Sequence, residues 1–219
     1  MEPQELADEY RRRFEPHSDY RQQVWRVLVD RWFQRYVEPT DRVLDLGCGW
    51  GEFINNVAAA EKFGIDLNPD VTDRLAPDVT LLSQAADEPW SLPGASLDVV
   101  FTSNFLEHLG DRDAILRTLR EAHRCLRPGG RIVCLGPNMN AVHGAYWDYF
   151  DHYVPLTERS MAEALELAGF VADDVTARFL PYTMSGKREA PVVLIRWYLR
   201  LRPAWRFFGG QFLVVAHRA

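Results

Sequence analysis

Apolar and polar residues recur along this chain with two different periods, and the two kinds of stretch alternate. Short apolar runs typical of buried parallel strands are separated by stretches in which apolar residues recur every three or four positions, as on amphipathic helices. The pattern predicts strands at residues 43–46, 62–67, 79–83, 97–103, 131–135, 171–180 and 211–216. It predicts helices at residues 4–14, 19–36, 53–60, 68–75, 113–126 and 157–168.

The alternation of strands with helices predicts an α/β fold, in which a mostly parallel sheet carries helices on both faces. Residues 1–38 are predicted to form an N-terminal helical cap, because both of their helices precede the first strand. Residues 39–219 would then form one domain, with residues 184–210 as an insertion between the last two strands.

Three glycines at alternate positions, Gly47, Gly49 and Gly51, directly follow the first predicted strand. Glycine tolerates positive φ angles and close approach of a ligand, and the helix predicted after the loop would point its N-terminal N–H groups back at it. Asp66 ends the second predicted strand, 19 residues after Gly47. In dinucleotide folds an acid at about this distance accepts hydrogen bonds from ribose hydroxyls. These residues predict a nucleotide site.

Two classes of nucleotide cofactor share this layout. The dinucleotide fingerprint Gly-x-Gly-x-x-Gly places its third glycine where this chain has Glu52. A large charged residue at that position argues against a cofactor that carries a pyrophosphate. A Rossmann oxidoreductase therefore stays as the disfavoured alternative.

Composition limits the class of protein only loosely. The 219 residues are 47% hydrophobic and 26% charged, as in an ordinary globular domain, and the net charge of −6 gives no argument for nucleic acid as a partner. Cys48, Cys125 and Cys134 lack CxxC spacing, which favours free thiols in a reducing compartment. The polar start shows no signal peptide, and no apolar run reaches the roughly 18 residues of a membrane span, so we expect a cytoplasmic location.

The segment from Asp45 to Gly51 resembles the first motif of the class I S-adenosylmethionine-dependent methyltransferases. Segments at residues 96–109, 126–130 and 152–170 resemble later parts of small-molecule members of this family, so the resemblance covers roughly residues 40 to 180. It implies a Rossmann-like, seven-stranded sheet with an antiparallel last strand. It also implies S-adenosylmethionine as the cofactor, S-adenosylhomocysteine as its product, and a small molecule as the methyl acceptor.

The resemblance also assigns residues to the cofactor, position by position. They are Asp45, Gly47, Cys48, Gly49, Gly51, Asp66, Leu67, Asp87 and Asn104. One position departs from the family, which often has an acid just after the third strand, where this chain has Ala85. Either Asp87 takes that role against the adenine or the backbone reads the base alone. The N-terminal helices are expected to fold over the cofactor, with Tyr10, Arg13 and Tyr20 close to it.

Candidate catalytic and acceptor-binding residues cluster between residues 143 and 153, which hold two histidines, two aspartates, three tyrosines and a tryptophan. A hydroxyl acceptor benefits from a general base, and histidine suits this role near neutral pH. We predict His152 as the base, oriented by Asp148 or Asp151, with His143 and His108 as further candidates; Glu107, next to His108, could also be catalytic. The acceptor-binding candidates are His143, Tyr146, Trp147, Tyr149 and Tyr153. The alternative is an aromatic lid that only packs.

Two other kinds of site are not expected. No metal site is predicted, because His143 and His152 are nine residues apart and no cysteine joins them. A nucleic-acid methyltransferase that flips a base would carry an Asn/Asp-Pro-Pro-aromatic motif after the fourth strand, where residues 103–106 read Ser-Asn-Phe-Leu.

Residues 190–208 interleave aromatic and basic side chains, and three interpretations stay open. The stretch could be buried core or an interface between copies, a peripheral contact with a membrane, or a site whose arginines hold a phosphorylated or lipid-linked acceptor. Together with residues 179–183 it resembles methyltransferases encoded near glycan-assembly enzymes.

The leading hypothesis is methyl transfer to a hydroxyl of a sugar, a glycan precursor or a secondary metabolite. A cofactor-binding partner protein without catalysis of its own is the alternative.

Overall fold

The computed structural model describes residues 3–182 and 189–219. The helices are α1 (Pro3–Phe14), α2 (Ser18–Arg31), α3 (Arg112–Cys125), α4 (Met139–Val142), α5 (Glu158–Leu167), α6 (Val192–Arg200) and α7 (Arg202–Phe208). The strands are β1 (Arg42–Leu46), β2 (Glu61–Ile65), β3 (Val79–Leu82), β4 (Leu97–Ser103), β5 (Leu126–Pro137), β6 (Phe170–Thr176) and β7 (Gln211–Arg218). Short 3₁₀ turns lie at Glu15–His17, Phe33–Tyr36, Pro69–Asp73, Leu106–His108 and His143–Asp148. Within these two described ranges, no helix combines the length and the apolar character that crossing a lipid bilayer requires.

The seven strands form one sheet in the order β3-β2-β1-β4-β5-β7-β6. Neighbours among β1 to β5 pair in parallel, whereas β7 is antiparallel to both β5 and β6. The predicted seven-stranded sheet with its antiparallel last strand is confirmed. β1 lies between β2 and β4, where the strand order reverses, and ligands of open α/β sheets bind at the carboxyl ends of strands at such a point.

Helices cover both faces of the sheet, because neighbouring residues of a strand point to opposite sides. In β1, Val43 packs in a cluster with Trp25 of α2 and Trp205 of α7. The next residue, Leu44, packs in the cluster on the other face, together with Leu119 of α3. The prediction of helices on both faces is therefore confirmed.

The helix predicted at residues 53–60 is wrong, because turns occupy this segment. The Asn55 side chain donates to the carbonyl of Arg74 at 2.9 Å, and the Asn56 side chain donates to the carbonyl of Glu52 at 2.8 Å. Asparagine side chains that bond to nearby backbone compete with a regular helix. The glycine loop is thus followed by turns rather than by the N-terminus of a helix.

Other predicted bounds also shift. The second helix ends at Arg31 and continues as a 3₁₀ turn, and the helix predicted at 68–75 is only the 3₁₀ turn Pro69–Asp73. β5 starts at Leu126, because Leu126 pairs with Leu97 of β4, and β6 ends at Thr176 rather than at residue 180. In the predicted 184–210 insertion, α6 and α7 are described, whereas residues 184–188 lie outside the described residues.

Candidate active site

A cavity of about 350 Å³ lies at the carboxyl ends of β1, β2 and β4. It extends from the glycine loop to the segment that follows β4 and to residues 149–153. Its walls include most of the predicted cofactor residues, namely Asp45, Gly47, Cys48, Gly49, Asp66, Leu67, Asp87 and Asn104. Gly51 is not part of the wall; its φ of +77° belongs to the turn that closes the loop.

The glycine loop has a conformation and surroundings that exclude side chains. Gly47 and Gly49 have φ angles of +69° and +51°, in the left-handed region that favours glycine. A Cβ atom on Gly47 would collide with the ring of Phe105, and one on Gly49 would collide with the hydroxyl of Tyr10. The backbone N–H of Gly47 donates to the carbonyl of Ile65 at 2.9 Å, which fixes the loop to the end of β2.

Asp66 holds the glycine loop from the other side. Its Oδ2 accepts a hydrogen bond from the N–H of Gly49, and its Oδ1 accepts one from the N–H of Asn68, both at 2.8 Å. Burial raises the pKa of Asp66 above its usual range, and these hydrogen bonds act against the rise. The carboxylate that the sequence assigns to the ribose therefore lies in the cavity wall, fixed by two backbone donors.

Three carboxylates surround the loop, and one arginine neutralises part of their charge. Burial, followed by the charges of Glu52 and Asp66, raises the pKa of Asp45 well above its usual range. Glu52 forms an ion pair with Arg21 at 2.7 Å, and each of these two side chains is only 8% exposed. This end of the cavity is acidic and largely shielded from water, which suits a ligand with a positive charge.

The wall near the predicted adenine position is more open. Leu67 is 45% exposed, and Ala85 also lines the wall. The carboxylate of Asp87 pairs with Arg117 of α3 at 2.6 Å. The adenine contact assigned to Asp87 stays a prediction, and Arg117 would compete for its carboxylate.

At the other end of the cavity lie Glu107, His108, Asp151 and His152, which we call the histidine group. Asp151 Oδ2 is 3.1 Å from Nδ1 of His108, and its two oxygens accept hydrogen bonds from Arg13 at 3.0 and 3.2 Å. The rings of His108 and His152 meet edge to face, with centroids 4.9 Å apart. The sequence predicted Asp151 as a partner of His152, but the carboxylate contacts His108 and Arg13 instead.

Burial and neighbouring charges shift the pKa values of the two histidines in opposite directions. Burial would lower the pKa of His108, but hydrogen bonding to Asp151 and the charges of Glu107 and Asp151 outweigh it, so the pKa is raised. Burial and the neighbouring His108 lower the pKa of His152 to about 4. His152 therefore stays neutral near pH 7, which leaves a lone pair on its ring.

Only part of the predicted acceptor set reaches the cavity. Tyr149 and Tyr153 line it. Tyr146 is fully buried and donates its hydroxyl to the carbonyl of Val154 at 2.5 Å, away from the cavity wall. The acceptor roles predicted for Tyr146, His143 and Trp147 are therefore not supported: the 3₁₀ turn His143–Asp148 leaves His143 and Trp147 exposed and outside the wall, as it does Asp148.

The N-terminal helices contribute more than the sequence indicated. Tyr10 and Arg13 line the cavity as expected, whereas the hydroxyl of Tyr20 donates to the carbonyl of Ala190 at 3.0 Å. Sequence reasoning missed Arg21. Arg21 lies three residues before Val24, on the apolar stripe of α2 that faces the core. Because an unpaired charge there would be costly, this position could have predicted a buried partner for Arg21. The cavity residues Tyr182 and Gln211, also missed, had no such signal.

The family comparison agrees with this geometry. A family model described as a methyltransferase domain matches residues 17–175, which is more than half of the chain. The chain therefore belongs to the methyltransferase-domain family, and its seven-stranded sheet with an antiparallel β7 is the class I arrangement that the sequence resemblance implies. The resemblance seen in the sequence is confirmed, and the oxidoreductase alternative has no support.

Two curated relatives show how far the similarity extends. The chain is 34% identical over 151 residues to malonyl-[acyl-carrier protein] O-methyltransferase of Dechloromonas aromatica, covering 64% of this chain and 55% of that protein. It is 36% identical over 109 residues to 27-O-demethylrifamycin SV methyltransferase of Amycolatopsis mediterranei, covering 42% of this chain and 37% of that protein. The match thus spans about half or less of the length of these two relatives.

Among solved structures, a SAM-dependent methyltransferase from Archaeoglobus fulgidus has the same fold. Its TM-score is 0.68 at 23% identity, and the match covers 94% of this chain and 99% of that one. At this level of identity the likeness concerns the fold alone.

Proposed function

We propose that this protein transfers the methyl group of S-adenosylmethionine to a hydroxyl of a small molecule. The observation that carries the proposal is a single cavity with two chemically different ends. One end holds the glycine loop and Asp66, and the other holds the histidine group. A cofactor bound at the first end leaves the second end for the acceptor.

Methyl transfer requires that the acceptor oxygen, the methyl carbon and the sulfur lie in line, and that the site stabilises the positive charge of the sulfonium. The sulfonium carries its own activation, because a neutral thioether leaves when the methyl group is attacked. Holding two reactants in line can lower a barrier by about 7–11 kcal/mol. The carboxyl groups of Asp45, which is buried, and of Asp66, which is half-buried, favour a cationic ligand at the first end. A hydroxyl must also lose its proton, and the histidine group is the polar set that can assist this loss.

We propose a sugar, a glycan precursor or a secondary metabolite as the acceptor. Tyr149 and Tyr153 support this class, because they offer aromatic faces with polar tips to the acceptor end of the cavity. The names of the two relatives also support methylation at oxygen, since one is an O-methyltransferase and the other a methyltransferase of a 27-O-demethyl compound.

Calorimetry and turnover test the proposal together. The chain should bind S-adenosylmethionine and not NAD, and it should methylate members of a panel of hydroxylated acceptors. His152→Ala should reduce turnover without changing cofactor affinity. The matched control is His217→Gln, because His217 pairs with Asp173 at 2.8 Å on the exposed part of β7, outside the cavity. Cofactor binding without product from any acceptor would instead favour a partner protein that only binds the cofactor.

We also propose that residues 1–38 act as a cap over residues 39–219. Tyr10 of α1 lies against Gly49, and Arg13 of α1 bonds to Asp151, so one helix contacts both ends of the cavity. Removal of residues 1–14 should therefore weaken cofactor binding. Unchanged affinity in this truncated protein would contradict the cap.

The exposed face of α6 and α7 is proposed as a peripheral membrane contact. Leu199 and Trp205 are buried, and Val192, Ile195 and Tyr198 pack against the same core, so the core interpretation applies to this side of the helices. Trp197, Phe207 and Phe208 are 60%, 76% and 68% exposed. Arginines interleave with these rings, as on helices that lie on anionic bilayers. Co-sedimentation with anionic vesicles should fall when Trp197 and Phe207 are changed to Ser; formation of a dimer in solution would point to a second copy instead.

A cytoplasmic location is proposed as well, supported by three buried, free cysteines.

A further inference from the structure

Three side chains of metal-binding type converge in the cavity wall from two separate segments. Glu107 and His108 belong to the 3₁₀ turn that follows β4, and His152 belongs to the segment after β5. One ligand atom from each of the three lies within 4.8 Å of the other two. Tyr153 donates its N–H to the carbonyl of Glu107 at 2.9 Å, which holds the two segments together.

Two of these side chains have a buried polar atom with nothing bound to it. Glu107 is 1% exposed and His152 is 6% exposed. Within the described part of the chain, Oε1 of Glu107 and Nδ1 of His152 have no hydrogen-bond partner. Leaving a buried carboxylate oxygen without a partner is costly, and a bound cation would remove the cost for both atoms at once.

Neighbouring groups orient the ligand atoms. The contact of Asp151 Oδ2 with Nδ1 of His108, at 3.1 Å, leaves Nε2 of His108 as the nitrogen that can coordinate. A histidine ligand commonly donates its other ring N–H to a carboxylate or a backbone carbonyl in this way. The ring of His152 is held between Tyr146 and Tyr149, with centroid distances of 4.7 and 5.1 Å.

We propose that Glu107, His108 and His152 bind one divalent transition-metal ion, for which Zn²⁺ is the best match. Two imidazoles and one carboxylate form the ligand set of several catalytic zinc sites, whereas Mg²⁺ and Ca²⁺ prefer oxygen ligands. The sequence did not indicate this site, because Glu107 and His152 are far apart along the chain and only the fold brings them together; His143, the other histidine of the 143–153 segment, is exposed. Three protein ligands leave a coordination position for a molecule in the cavity.

The role of the ion, unlike its binding, rests on the proposed methyl transfer. An acceptor oxygen coordinated to the ion loses its proton to water more readily, because bound Zn²⁺ lowers the pKa of a coordinated water from 15.7 to about 7. The oxygen then forms a bond to the methyl carbon while the carbon–sulfur bond breaks. The electron pair of that bond stays on sulfur, which yields S-adenosylhomocysteine.

Titration of chelator-treated protein with zinc chloride tests the site directly. The wild-type chain should bind one Zn²⁺, and Co²⁺ at the same site should give visible absorption bands. Glu107→Gln and His152→Ala should weaken zinc binding at least tenfold. Asp151→Asn should weaken it by about 10–100-fold, as expected for a residue that positions a ligand. His217→Gln is the control and should bind zinc like the wild type.

Two further measurements keep the result interpretable. Without metal, Glu107→Gln should melt at or above the wild-type temperature, because it removes a buried carboxylate oxygen that lacks a partner; its loss of zinc binding is then not a loss of folding. Absence of stoichiometric zinc in the wild type, or zinc binding that survives both Glu107→Gln and His152→Ala, would overturn the site. Binding of S-adenosylmethionine to the chelated protein tests the proposed function separately, since it needs no zinc.

Discussion

Replacing Arg21 by methionine should destabilise the protein strongly, because it leaves Glu52 as a buried, unpaired charge. Both Nε and Nη2 of Arg21 reach Oε1 of Glu52, at 2.9 and 2.7 Å, and each side chain is 8% exposed. Removing one partner of a buried ion pair costs about 3–5 kcal/mol. The guanidinium also lies 4.0 Å from the ring centroid of Phe14, and methionine keeps only the apolar part of that contact.

Urea unfolding and thermal melting of four proteins measure the effect: wild type, Arg21→Met, Glu52→Gln and the double variant. At about 2–4 °C for each kcal/mol in a domain of this size, Arg21→Met should lower the melting temperature by about 6–20 °C. The double variant should recover most of this loss, since it no longer contains the unpaired carboxylate of Glu52. Both residues line the cofactor end of the cavity, so the same four proteins should be titrated with S-adenosylmethionine.

A small loss of stability in Arg21→Met would contradict this role of the ion pair. If Arg21→Met is within about 1 kcal/mol of the wild type, and the double variant is no more stable than the single one, Glu52 does not depend on Arg21 for its burial. A large loss that the double variant does not recover would assign the effect to packing against α1.

Three further outcomes are expected. Asp66→Asn should weaken S-adenosylmethionine binding by about 10–100-fold, since a hydrogen bond to a charged group contributes about 1.5–3 kcal/mol, while Asp173→Asn, outside the cavity, serves as the control and should change it little. Burial raises the pKa of Asp45 and Asp66, so these carboxyls take up protons at a higher pH than usual, and affinity for the cationic cofactor should fall as the pH is lowered; calorimetry in two buffers should show that binding releases protons. Gly47→Ala, at a φ of +69° and against an aromatic ring, should lower the melting temperature, whereas Gly110→Ala, with no atom within 4 Å of the added Cβ, should not; equal melting temperatures would contradict the account of the loop.

The sheet could be predicted from the sequence because its signals are local. Val43 and Leu44 are both fully buried, on opposite faces of the sheet. A strand that is buried on both faces has a continuous run of apolar residues in its sequence. The segment 53–60 has a similar local pattern of apolar residues, yet it forms turns: the Asn56 side chain bonds to the nearby carbonyl of Glu52, and the Asn55 side chain bonds to the carbonyl of Arg74, which only the folded chain brings close. The positions of apolar residues were therefore sufficient to predict the strands, but not to predict whether the segment 53–60 forms a helix.

The two ends of the candidate site also differ in how much of them can be predicted from the sequence. At the cofactor end, the glycine spacing and Asp66 predict a nucleotide site because both are local signals, whereas Arg21 in the same wall comes from α2 and was not predicted. The acceptor end joins residues far apart in sequence: Arg13 and Asp151 are 138 positions apart, and their contact depends on how α1 packs. Closeness in sequence to His152 was a poor guide there, because one 3₁₀ turn sends Tyr146 into the core and leaves Trp147 half exposed.

The position of α1 has a consequence for the order of events in turnover. Tyr10 and Arg13 are three residues apart and so lie on the same side of the helix, one against Gly49 and the other on Asp151. A displacement of α1 that frees the first contact also breaks the second. Spent cofactor and methylated product should then escape during one shared opening, so that exchange of either molecule is limited by the same step.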